Sequence, residues 1–155
     1  MKKILSTLSL SIALAFTSCH CENSTENNMT NTNSVSPINA TPTELDGIKK
    51  VLDAYVGAAI KGSSDIAKPV FAETATISYN ENDSLVSNPI QALYDYYDQT
   101  GPHHAEYEIT SAQVADNVAI VSIDSKFGDV RFDDMFTLVK DGNDWKIISK
   151  IYHVK

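Results

Sequence analysis

The sequence predicts an α+β domain in which three N-terminal helices pack on one face of a curved antiparallel sheet, leaving a cone with an open mouth. Three observations carry this expectation. Helix-start signals and helical periodicity are confined to residues 41–100, apart from one strand-like run at 71–79. Period-two alternation fills residues 105–153. Finally, the closing stretch sets Phe132, Asp134, Phe136 and Leu138 against Arg131, Asp133, Met135 and Thr137, turns at Asp141-Gly142-Asn143-Asp144, and alternates again from Trp145 to His153. An Asp-Gly turn between two such runs is a β-hairpin signal, and a sheet that keeps its helices on one face is an α+β arrangement.

Each element has a local cause. Thr41-Pro42-Thr43-Glu44 supplies a cap, a proline at the first helical position and an acid able to close a capping box. Leu45, Ile48, Leu52, Tyr55, Val56 and Ala59 then recur at helical spacing, with Lys49, Lys50 and Asp53 opposite, and Gly62 is placed to end the helix. Ser63 or Ser64 is expected to cap a short second helix through Ile66 that stops near Pro69. Phe71 to Tyr79 reads as a strand and Glu81-Asn82-Asp83-Ser84 as a turn. Asn88-Pro89-Ile90-Gln91 repeats the cap-and-proline logic, so a third helix is expected with Ile90, Leu93, Tyr94 and Tyr97 on its apolar face and Gly101-Pro102 at its end. Strands at Ala105–Val114, Val118–Phe127, Arg131–Lys140 and Trp145–His153 complete the chain.

A chain of 155 residues is long enough for one domain with a real core. Its formal net charge of −8 repels phosphate backbones, so no nucleic-acid partner is expected. Residues 1–18 begin with Lys2-Lys3, continue as an apolar run from Ile4 to Phe16 that is short for a membrane span, and end in small residues before Cys19. This pattern resembles a bacterial lipoprotein signal peptide. The resemblance implies a diacylglycerol on Cys19 and a membrane-anchored, periplasmic or surface-facing place in the cell envelope; the alternative is ordinary cleavage near Ser18 and a secreted protein. Residues 19–40, rich in Asn, Ser and Thr, are expected to be a disordered tether, and residues 41–155 the folded domain. Cys19-His20-Cys21 cannot easily close a tetrahedral site from consecutive residues, so no metal is expected there.

Leu52-Asp53-Ala54-Tyr55, Gly57 to Gly62, Phe71, and above all the run from Arg131 to Lys140 followed by Gly142 and Trp145 to His153, resemble the "putative lumazine-binding" family. That family belongs to the nuclear transport factor two-like superfamily, and the resemblance spans Glu44 to His153. It implies the cone-shaped α+β fold that the element order also suggests. As to activity, the superfamily holds ketosteroid isomerases, dehydratases, polyketide cyclases and transport factors, so the likeness defines no single reaction.

Alternation assigns an inward face to each strand: Tyr79; Tyr107 and Ile109; Ala119, Val121, Ile123 and Phe127; Phe132, Asp134, Phe136 and Leu138; Trp145, Ile147, Ile151 and His153. Asp134 and His153 are the ionisable groups on that apolar face, where burial moves a pKa towards neutrality. Either is a candidate base, with Tyr55 or Tyr79 as proton donor, because the superfamily's ketosteroid isomerases place a carboxylate and a Tyr hydroxyl in such a cone. A bulge in either arm of the hairpin would reverse the assignment. Tyr79, His104, Tyr107, Phe127, Phe132 and Phe136 are the expected cavity walls. Side chains of adjacent residues in extended chain point apart, so His103 and His104 cannot readily share a metal, and His104 is the one expected to reach a ligand. Nucleophile elbows, phosphate-cradling loops and paired metal ligands are absent, and no cofactor is implied.

Two readings of function follow. One is a cell-envelope lipoprotein whose cone binds a small apolar or aromatic molecule, or a protein partner, without catalysis. The other is an isomerase- or dehydratase-type enzyme using an Asp or His base and a Tyr in the same cavity. Independently, the opposite sheet face, carrying Arg131, Asp133, Met135, Thr137, Lys146, Ile148, Lys150 and Tyr152, is expected to pair two chains as a homodimer.

Overall fold

The structure, a computed structural model, describes residues 38–155. The expected signal peptide, Cys19 and all but the end of the expected tether lie outside the described residues. Within them, strand β1 (Ile38–Asn39) precedes helix α1 (Pro42–Lys61), two 3-10 turns (Ser64–Ile66 and Lys68–Val70), a hairpin of β2 (Phe71–Glu81) and β3 (Ser84–Pro89), helix α2 (Gln91–Thr100), and strands β4 (Ala105–Ala115), β5 (Val118–Phe127), β6 (Val130–Asp141) and β7 (Asp144–Val154). The class is α+β, as the sequence predicts. One sheet runs β1-β4-β5-β6-β7-β2-β3. It is mixed rather than wholly antiparallel, because β2 lies parallel to β7 and β1 parallel to β4.

Helix α1 forms for the predicted reasons. The Thr41 hydroxyl accepts from the Glu44 amide while the Glu44 carboxylate accepts from the Thr41 amide, closing the capping box. Ile48, Leu52, Tyr55, Val56 and Ala59 are buried against the sheet. At its far end Gly62 is left-handed, with φ 60°, and donates back to the Ala58 and Ala59 carbonyls. Just beyond, the short second helix is replaced by the two 3-10 turns, since Pro69 and the return to β2 leave no room for a full α-turn.

Two expectations fail in physically instructive ways. Asn88-Pro89 does not cap the next helix: both residues pair with Ile77 and Thr76 as the end of β3, and α2 starts at Gln91 with no side-chain cap. A proline is tolerated there because β3 is an edge strand. The turn from β2 to β3 is made by Asn82 and Asp83, both with positive φ, the conformation that two-residue hairpin turns favour. At the other edge, strand pairing begins at Ile38, within the last three residues of the stretch expected to be tether.

The core lies between α1, α2 and the inner sheet face. Ala119, Val121, Ile123 and Phe127 from β5 and Phe136 and Leu138 from β6 are buried in it, as alternation predicts. Gly62 marks where the helical layer closes most tightly. A Cβ at this position would come within 2.3 Å of the Gly101 carbonyl carbon and the Pro102 nitrogen. Combining that clash with the left-handed backbone, Gly62→Ala is expected to lower stability by about 2–4 kcal/mol. Urea unfolding checks this through a lower midpoint at unchanged slope.

Candidate functional site

The site is created by one irregularity. Leu138 pairs with Ile147 and Thr137 with Ser149, so Ile148 is an extra residue, a β-bulge in β7. Up to Ile147 the predicted inward face holds; beyond the bulge the faces exchange. Lys150 and Tyr152 turn inward, whereas Ile151 and His153 turn out. His153 is therefore not the buried base that strict alternation predicts, and Lys150 and Tyr152 are not outer-face residues.

Lys150 is 3 % exposed and Asp134 is 1 % exposed. Their Nζ and Oδ1 atoms lie 2.6 Å apart, a fully buried ion pair. The second carboxylate oxygen, Oδ2, accepts from Ser125 Oγ at 2.6 Å and from the Tyr55 hydroxyl at 3.4 Å. Ser125 reaches it from β5, and Tyr55 is delivered by α1. The Lys150 ammonium also sits 4.1 Å from the Tyr152 ring centroid and 5.8 Å from that of Tyr55, within cation–π reach of both. Burial pushes the Lys150 amine below the ordinary lysine value, and the Asp134 charge opposes that shift only in part. Burial, reinforced by Asp134, raises the Tyr55 hydroxyl well above the ordinary value, so it is held as a neutral donor.

Above this cluster opens a cavity of about 290 Å³. Tyr55, Tyr97, Phe127, Phe132, Tyr152 and Lys150 line it on the helix and sheet sides, and Ile77, Tyr79, Asn88, Ala92, Leu93 and Tyr96 complete the wall. Tyr55 is the hub of the packing, meeting Phe71, Tyr97, Phe127 and Phe136 edge to face with centroids 5.2–6.5 Å apart. The Tyr97 hydroxyl donates to the Tyr55 carbonyl at 3.1 Å, tying α2 to α1 beneath the cavity.

Of the expected site residues, the structure brings together Tyr55, Asp134, Tyr79, Phe127 and Phe132. Asp134 is sealed, however: its oxygens are taken by Lys150, Ser125 and Tyr55, and its influence on the cavity passes through Lys150. Phe136 is buried behind Tyr55 rather than in the wall. Tyr107 is drawn to the side of α1, where its hydroxyl donates to Asp53 at 2.7 Å. His104 points to solvent 3.6 Å from Glu106. Its neighbour His103 packs inward instead, against Tyr96 and Phe127, because it shares parity with the inward Ala105. Tyr94 is core, as expected, packed on Phe71. Lys150 and Tyr152 are the residues that alternation alone misses; Ser125, between Ile123 and Phe127, has the inward parity but is not apolar. Among the described residues, no three His, Cys, Asp or Glu side chains gather as a metal site would require.

Fold and cavity together define a nuclear transport factor two-like, or NTF2-like, domain with an aromatic-walled cavity between its helices and its sheet. The chain belongs to the family described as "Putative lumazine-binding", whose model matches residues 43–153. It is similar to an NTF2-like protein of unknown function from Shewanella baltica OS155, at 34% identity with 76% of this chain and 98% of that one covered and a TM-score of 0.69. A second NTF2-like protein of unknown function, from Methylobacillus flagellatus KT, shares 30% identity over 75% of this chain and 95% of that one, with a TM-score of 0.68. Among curated proteins it is 26% identical over 116 residues to aldolase FrzH from a Cladobotryum species, covering 73% of this chain and 93% of the relative.

The ion pair makes a strong prediction about coupling. Lys150→Met leaves the Asp134 carboxylate buried without a counter-ion and is expected to cost about 3–5 kcal/mol. Adding Asp134→Asn should recover most of that loss, so the two changes are non-additive in urea unfolding. Additive losses would show that the two charges are not coupled.

Proposed function

We propose that the domain binds a small neutral molecule with a flat apolar or aromatic body and a hydrogen-bond-accepting group such as a carbonyl. The observation that carries this reading is the buried Lys150 at the floor of a cavity whose wall is aromatic and aliphatic apart from Asn88. Lys150 supplies the donor there, but its charge is already matched by Asp134. A neutral acceptor gains a hydrogen bond without disturbing the pair. An anionic ligand would bring a second negative charge into a site whose one cation is taken, at a large desolvation cost. Membership of a family described as lumazine-binding and the aromatic walls both support small-ligand binding.

The likeness to a protein named as an aldolase favours a second reading, in which the cavity also transforms a carbonyl compound. In that case Lys150 and Tyr55 are the groups able to touch the substrate. Asp134 would act through Lys150, and His153 would take no part, since it stands on the outer face. This differs from the Asp or His base of an isomerase because the carboxylate is sealed.

The cellular setting we propose is the bacterial envelope, with a lipid on Cys19 holding the domain near a membrane through the Asn/Ser/Thr-rich segment. Lys2-Lys3, the apolar run and the small residues before Cys19 support it. No helix among the described residues is long and apolar enough to cross a membrane. We also propose a homodimer through the outer sheet face. Ile120, Met135 and Ile151 lie on adjacent strands there, with Met135 and Ile151 each 47% exposed, and Leu85 at 80% exposed stands beside them.

Three measurements test these readings. By calorimetry, 2-acetylnaphthalene is expected to bind about tenfold or more tightly than 2-naphthoate, the cost of burying the extra carboxylate; equal affinity, or a preference for the acid, overturns the neutral-ligand reading. Cys19→Ser should abolish incorporation of alkyne-tagged palmitate in cells, and labelling that persists excludes Cys19 as the anchor. Light scattering should give twice the chain mass for the domain, falling to a single chain in Met135→Lys; a monomeric parent removes the dimer.

A further inference from the structure

We propose that Lys150 captures its ligand covalently, as a reversible imine with an aldehyde or ketone carbon. The inference rests on the neutral-carbonyl reading above and specifies the chemistry at the polar floor. An amine forms an imine readily when it is available unprotonated, when a neighbouring acid–base group can move protons, and when the medium holds back bulk water. All three conditions meet at one residue. Lys150 lines the aromatic cavity. Asp134, at 2.6 Å, is placed to take a proton from the ammonium, and burial holds the amine's pKa below the ordinary lysine value. Tyr55, whose ring also lines the cavity, keeps its hydroxyl protonated.

The protons balance without an external reagent. Lys150 ammonium passes one proton to Asp134, and the free amine attacks the carbonyl carbon, forming the C–N bond as the C=O π bond opens. The oxygen is protonated at the expense of the nitrogen, giving a carbinolamine. Tyr55, which lines the cavity and is hydrogen-bonded to Asp134, then gives its proton to that hydroxyl while taking the proton held by Asp134, the C–O bond breaks, and water leaves. The product is an iminium cation beside an Asp134 carboxylate, so the ion pair that held the free site persists in the adduct. Surface lysines such as Lys49 and Lys61 stand exposed to bulk water, outside the cavity.

The test uses two matched probes with the purified domain. 2-Naphthalenemethanol, which cannot form an imine, reports cavity binding by calorimetry. 2-Naphthaldehyde with sodium cyanoborohydride reports imine formation, because hydride fixes the adduct for peptide mapping by mass spectrometry. The expected result is that the alcohol binds and that, at one equivalent of aldehyde, Lys150 carries at least tenfold more label than any other lysine. Its labelling rate should also reach a plateau at lower pH than that of the surface lysines. Binding of the alcohol with label spread evenly over surface lysines, or with none on Lys150, overturns the imine while leaving the cavity reading standing. Absence of alcohol binding together with absence of Lys150 label overturns both. Tyr55→Phe keeps the ring and removes the hydroxyl; it should slow labelling at Lys150 several-fold while surface labelling is unchanged, whereas equal rates at Lys150 remove Tyr55 from the step.

Discussion

The ion pair between Lys150 and Asp134 constrains everything around it. Removing two opposite charges from water costs several kcal/mol for each, and their mutual attraction offsets this only when geometry is close and the remaining valences are met. Here the pair is 2.6 Å apart, Ser125 and Tyr55 serve the second carboxylate oxygen, and two aromatic faces lie near the ammonium. Three strands and one helix must therefore be in register before the pair is satisfied. Such an arrangement adds little net stability compared with apolar packing, but it discriminates strongly against misregistered alternatives that would leave a charge unpaired.

Packing explains why a cavity survives over this pair. Tyr55 fills the centre with a ring wedged among four other aromatic rings, and edge-to-face contacts of this kind fix orientation as well as burial. The helices cannot collapse onto the sheet to close the gap, because their ends are tied elsewhere. Asp98 of α2 accepts from the Ser64 amide and hydroxyl at 2.8 Å each, and His103 donates from its backbone to the Ala59 carbonyl at the end of α1. Gly62, pressed against Gly101 and Pro102, closes the same junction. A braced helical layer over a curved sheet holds a void open; an unbraced one would fill it with side chains.

The parts of this architecture legible in the sequence are those set by local periodicity. The capping box at Thr41, the apolar stripe of α1 and the inward residues of β5 and β6 all follow from neighbours within a few positions. What escaped is what depends on pairing. Strand β3 carries mostly exposed or half-exposed residues and little apolar alternation, and its Asn88-Pro89 end imitates a helix start. Only its pairing with β2 makes it a strand. The bulge at Ile148 is equally silent, since Lys146-Ile147-Ile148-Ser149-Lys150 alternates no differently with or without an extra residue. His103 was within reach, because its parity with Ala105 and Tyr107 marks it as the inward member of the histidine pair.

The bulge also links the two faces of the sheet. Because side chains alternate, shifting register by one residue cannot place Lys150 and Tyr152 in the cone without placing Ile151 and His153 outside. Without the bulge, Ile151 would fall opposite Asp134 on the inner face and leave the carboxylate without a cation. Ion pairing inside and an apolar surface outside therefore have a common origin. Ile151 stands opposite Met135, and the depression beside them, lined by Leu85, Asp133 and His153, is the opening on that side of the sheet. Pairing that absorbed Ile148 into the ladder with no residue deleted would bury isoleucine against a carboxylate and expose a lysine where an isoleucine now stands, so the inner chemistry and the outer contact surface would be lost together.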